Sequence, residues 1–175
     1  MIGFIFVAVA VVGYFLILNS KVKNKGAALL EKTITAILSA FIFSLCLAFL
    51  SHTPVEEQQA GVGYISFMSL FIIYFMYSLL VFLICGGLYS FFADIYLDNI
   101  HFRTVFLKYI TGILTYLLGG FLIVGLFFVI MVLINKGIND LFVSCIFSVS
   151  ILPSLLFYHI SLLSKKTFKF IESQD

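Results

Sequence analysis

Ser90, Asp94, Asp98 and His101 bring a hydroxyl, two carboxylates and an imidazole to helical spacing beside a long apolar run. At 100° per residue Asp94, Asp98 and His101 lie about 40°, 80° and 20° from Ser90. Leu88, Phe91, Phe92, Ile95 and Phe102 take the opposite arc, so a helix over 88–102 is strongly amphipathic. Oxygen and nitrogen donors so placed can converge on a divalent metal or pass a proton, but three are too few to define a metal centre. No metal or cofactor is assigned. One reading lays this segment along the membrane interface with its charges in water. Interfacial helices usually turn Lys and Arg toward anionic lipid, whereas this stripe is acidic. The competing reading therefore packs the stripe against basic segments of the protein, with Lys21, Lys23, Lys25, Lys165 and Lys166 as the available cations.

His159 is the one imidazole inside an apolar run, and Ser144 and Ser148 share its helical face. Ionisable groups at membrane depth are costly and point to function by default. His159 stands only six residues before Lys165, roughly 9 Å along a helix, close enough to the headgroups to snorkel. Asp94 is expected at similar depth, which makes a His159–Asp94 contact a testable expectation. Gly112, Thr115 and Gly119 form a small-residue face of the kind that lets helices approach closely in lipid. It is read as packing within the chain, with a homo-oligomer contact as the alternative.

The elements that must position these residues follow from composition. Of the 175 residues 63% are hydrophobic and 10% charged, against roughly 25% charged in a soluble domain. Such a chain cannot cover a water-facing surface, and its natural solvent is lipid. A net charge of +2 gives no footprint for nucleic acid. Cys46, Cys85 and Cys145 make no metal or redox spacing and sit in apolar runs, where a thiol acts as a small hydrophobe. There is no Trp, so Tyr supplies any interfacial anchoring.

Five apolar runs are expected to be transmembrane helices: about 2–18, 33–50, 64–85, 109–134 and 141–163. The first lacks a basic segment before it and is read as a retained span rather than a signal peptide. The third is expected to end near Cys85, with a bend at Gly86-Gly87 and the amphipathic segment 88–102 beyond it. Nine of the ten Lys and Arg fall in loops on one side of this threading, and Lys136 stands alone on the other. The positive-inside rule then places the N-terminus outside and the C-terminus in the cytoplasm. Glu56-Glu57 lacks the Arg four residues later that paired-glutamate intramembrane proteases require, since Gly61 stands there, and no hydrolase, zincin or P-loop motif occurs.

Gly86-x-x-x-Ser90-x-x-x-Asp94, closing an apolar span and followed by Arg103, resembles an uncharacterised family of small multi-pass membrane proteins of spore-forming bacteria. The likeness covers about 70–170. Where the family carries a His early in the next span, this chain has Thr111 and Thr115. The resemblance implies a membrane location and no activity.

The expected fold is thus an all-α integral membrane bundle of five helices in the cell membrane. The leading expectation for function is a non-enzymatic protein acting through helix–helix association, as an accessory, partner-binding or immunity-type subunit. Its partners would be the bilayer and a membrane protein or a second copy. The alternative is a small transporter or channel protomer with a polar path near Asp94, Ser148 and His159.

Overall fold

The computed structural model describes residues 25–54, 63–135 and 140–172, less the side chains of Lys25, 126–128, 130–149 and 168–172. All regular structure among them is helical: α1 (Lys25–Ser51), α2 (Phe67–Val81), a π-helical turn (Phe82–Gly86), α3 (Gly87–Asn99), α4 (Val105–Asn135) and α5 (Asp140–Glu172). Among the described residues three stretches are long and apolar enough to cross a membrane. They are Gly26–Ser51, Phe67–Asn99 and Val105–Gly125, with mean hydropathies of 2.3, 2.4 and 1.7. The expected first span, 2–18, lies outside the described residues, and the expected fifth falls within α5. Helices suit such sequences because they satisfy every backbone N–H and C=O internally, as lipid demands. The termini are closed by short polar residues. The Ser66 hydroxyl accepts from Ser69 N–H at 3.3 Å and the Thr104 hydroxyl from Leu107 N–H at 3.3 Å, which caps the first turns of α2 and α4.

Where a bend is expected, at Gly86-Gly87, the helix carries a π turn and continues. Both glycines hold ordinary helical dihedrals, φ −65° and −62°, so α2, the π turn and α3 form one run of 33 residues. That is roughly 50 Å of helix against a hydrocarbon core of about 30 Å. The irregularity within this run is one widened turn rather than a break.

α1 is the central element, lying against α2, the π turn, α3 and α5, while α4 packs on α5 and α3. Its inward face is built from small residues: Thr35, Ala36, Ser39, Ala40, Ser44 and Ala48 are all fully buried. Small side chains let backbones approach, and packing then holds the helices where hydrophobicity cannot. Their hydroxyls spend their protons within the helix: Thr35 on Glu31 O at 2.8 Å, Ser39 on Thr35 O at 2.7 Å and Ser44 on Ala40 O at 2.6 Å. The core beside them is aromatic, with Phe82 stacked on Phe157 at 5.7 Å and Tyr116 against Tyr158 at 5.0 Å.

The glycines of α4 face ring and hydroxyl neighbours. A Cβ at Gly112 would meet the Tyr158 phenol, one at Gly119 the Tyr89 ring, and one at Gly120 the Ser154 hydroxyl and Ser150 O. Thr115 completes this face through its carbonyl, which accepts the Tyr89 O–H at 2.6 Å.

Candidate functional site

Asp94 is the hub of a polar cluster that joins four helices. Its Oδ2 pairs with Lys32 Nζ of α1 and, at 2.9 Å, with Lys165 Nζ of α5. Its Oδ1 accepts the Tyr116 O–H of α4 at 3.1 Å. Ser90, one turn earlier on α3 and fully buried, lies 2.6 Å from the Tyr116 hydroxyl. An ionised carboxylate only accepts, so Tyr116 donates to Asp94 and Ser90 donates to Tyr116. Lys32 also donates to Ser161 Oγ at 2.9 Å and to Glu31 Oε1 at 3.2 Å. An ammonium has three protons, and here all three are placed.

Burial grades across the cluster. The Lys32 side chain is 6% exposed, Glu31 13%, Asp94 15% and Lys165 30%. Two cations face two carboxylates, so the group is neutral as a whole. Buried charges are tolerable in this form, paired and hydrogen-bonded. The chain builds it by placing Ser90 and Asp94 four residues apart on α3, and Ser161 and Lys165 four apart on α5. Each pair projects from one helical face.

The other sequence-predicted residues go elsewhere. Asp98 pairs with Lys108 at 3.1 Å in the open, with side chains 64% and 53% exposed. His101 lies exposed just past the end of α3. His159 is engaged at both ring nitrogens: Nδ1 lies 2.7 Å from Leu155 O and Nε2 3.0 Å from the Tyr109 hydroxyl. A carbonyl can only accept, so Nδ1 carries a proton, and in the neutral ring Nε2 accepts from Tyr109. The expected His159–Asp94 contact is therefore replaced by His159–Tyr109. The Ser144 and Ser148 side chains lie outside the described residues. Of the candidate basic partners, Lys165 joins Asp94 and Lys166 stays exposed. Among the described residues no three His, Cys, Asp or Glu side chains converge as metal ligands.

Glu31, Lys32, Tyr116 and Ser161 are the members that sequence reasoning passed over. Glu31 and Lys32 read as the end of a polar loop, yet they open directly onto the Thr35/Ser39 face of α1. An ionisable pair continuing the small-residue face of an apolar helix is the signal that would have found them.

Next to the cluster lies a cavity of about 280 Å³, lined by residues that include Ser78, Phe82, Tyr116, Gly119, Ser154 and Phe157. Tyr116 belongs to both, with its ring on the cavity and its hydroxyl in the cluster. No family model, curated protein or solved structure matches this chain.

Proposed function

We propose that the chain is a five-span protein of the cell membrane, N-terminus outside, that acts without catalysis by associating with another membrane protein or a second copy through its helices. The observation that carries this reading is the closure of the Asp94 cluster on itself. It is neutral, and Lys32 has no proton left to offer a substrate. A group so satisfied ties helices together rather than doing chemistry. The surface then available to a partner includes the outward ridge of α4, where Leu114, Leu118 and Leu122 are 56%, 62% and 65% exposed. The likeness to the spore-former family supports the location.

The test is mild extraction followed by cross-linking from Leu118→Cys. A partner, or a second copy, held at fixed stoichiometry and joined through that cysteine is the expected result; repeated isolation as a single uncross-linked chain refutes the reading. Threading is checked separately by labelling Glu57→Cys and Asn99→Cys in a cysteine-free background. Only the first is expected to react from outside, and the reverse pattern overturns the orientation.

A second reading, a small transporter or channel protomer, is favoured by one observation. The cavity meets the π turn and Pro153, two irregular points of helix, and it abuts the Asp94 cluster through Tyr116. Midplane sites beside interrupted helices are a transporter feature. On this reading Asp94→Asn or His159→Ala abolishes flux in proteoliposomes while the protein still folds. Absence of wild-type flux for every solute tried counts against it.

A further inference from the structure

The helix pairs of this protein diverge on one side of the Asp94 cluster. α2 packs along α1 and α4 along α5, while α3, not α2, is the part of that long helix that lies against α4. The divergence leaves the 280 Å³ cavity between α2 and the π turn on one wall and α4 and α5 on the other. Irregular backbone shapes it: the π turn supplies Phe82 and Gly86, and α5 supplies Pro153 within a helix. Such features cluster where a helix must make room for something.

The lining says what that something is. It contains no Asp, Glu, Lys, Arg or His side chain. Apart from the outward-lying Tyr77, 72% exposed, the hydroxyls named here are spent on the protein. Ser78 donates to Tyr74 O at 2.7 Å or meets Ser44 at 2.6 Å, Ser154 donates to Ser150 O at 2.6 Å, and Tyr116 donates to Asp94. A buried water needs two to four polar partners, and the walls offer few. The occupant is therefore uncharged and apolar. On the membrane-embedded reading above, on which this inference rests, the medium beside the opening is acyl chain at very high local concentration. Tyr77, which lines the cavity and is 72% exposed among the described residues, marks its open side.

We infer that the cavity is a binding site for one acyl chain of a bilayer phospholipid, which enters sideways between α2 and α4. Phe82 and Phe157 form its inner wall, and Tyr116 separates the chain end from the ion cluster.

The probe is a phosphatidylcholine with a diazirine midway along one acyl chain, titrated into the full-length protein in detergent micelles. After irradiation the labelled residues are read by mass spectrometry. Label on Phe82, Val124 and Phe157 is expected to plateau near one lipid per chain, while label on Met68, Ile72 and Met76, exposed on α2, rises in proportion to the probe. Val124→Trp, or Val81→Trp from the facing wall, is expected to lower the inward label by about tenfold and leave the outward label unchanged. Inward label that never saturates, inward residues that stay unlabelled while outward ones react, or cross-links from a second polypeptide at the inward positions each overturn the proposal. Failure of both sets to label sinks the membrane reading together with it.

Discussion

Removing the charge of Asp94 tests the cluster most directly, because two cations depend on it. Asp94→Asn keeps the shape and can still accept from Tyr116, but it leaves Lys32, 6% exposed, with Glu31 as its carboxylate and takes the carboxylate at 2.9 Å from Lys165, 30% exposed. At an effective dielectric near 20, a pair at the 2.9 Å of Lys165–Asp94 is worth roughly 6 kcal/mol before desolvation. Desolvation takes back several kcal/mol, and breaking a buried pair costs about 3–5 kcal/mol net because a charge is stranded. For a chain of this size each kcal/mol lowers the melting temperature by about 2–4 °C, so a fall of roughly 6–20 °C is expected. Lys165→Met removes the more exposed cation and leaves Asp94 paired with Lys32, so its cost should be about 1 kcal/mol or less. Lys32→Met should fall between the two. The double variant Lys32→Met/Asp94→Leu replaces the buried pair with apolar side chains and should be less damaging than the sum of its singles, with a coupling of about 0.5–3 kcal/mol. Melting is followed by the fraction of purified protein that survives heating as a single species on size exclusion. Equal effects of Asp94→Asn and Lys165→Met, or strict additivity in the double variant, would refute the hub role of Asp94.

Further outcomes follow from neighbouring geometry. Tyr116→Phe withdraws the donor to Asp94 and leaves the buried Ser90 hydroxyl unanswered, at a cost of about 1–3 kcal/mol; Ser90→Ala should cost less, since Tyr116 keeps Asp94. Asp98→Asn breaks a pair whose side chains are 64% and 53% exposed, so the same melting assay should move by no more than about 0.5 kcal/mol. Gly119→Ala drives a methyl into the Tyr89 ring, which cannot swing away without giving up its bond to Thr115 O, and should destabilise by about 1–3 kcal/mol. Gly87→Ala meets only ordinary contact, 3.7 Å from Phe82 O, and should stabilise the helix by about 0.5–1 kcal/mol. Destabilisation by Gly87→Ala would mean that the position needs a conformation other than ordinary helix.

The helical character of the described residues was legible, since apolar runs of this length with few breakers leave no other solution in lipid. So was the shared face of Ser90 and Asp94, which follows from helical period alone, and Lys165 stood among the cations offered to the acidic stripe. Three things were hidden, each for a physical reason. The continuation through Gly86-Gly87 depends on tertiary packing, since Gly86 lies close under the Phe157 ring, and glycine tolerates helix and bend alike. Lys32 read as a loop residue because positive charge normally marks a membrane boundary. It became a cluster member only because α1 runs on through it with its small face turned inward. The partner of His159 could not be read at all: Asp94 and Tyr109 both lie at suitable depth, and only the rotation of α5 about its axis selects between them.

The cluster and the cavity are best understood as one arrangement. Four helices are fastened at a single level, where Lys32, Asp94, Tyr116 and Lys165 supply directional bonds that apolar packing in lipid cannot. Fastening at that level frees the adjoining segments of α2 and α4 from having to touch, and the π turn lets the long helix change its facing as it leaves the cluster. Loosening the cluster should therefore alter the cavity before it unfolds the protein. Tyr116→Phe is the variant that separates the two effects, because it keeps the ring on the cavity wall and removes only the bond behind it. Its inward diazirine label should weaken at temperatures where the helices remain intact by circular dichroism. Label that stays at the wild-type plateau until the helices melt would mean that the cavity is held open by α1 and α5 alone.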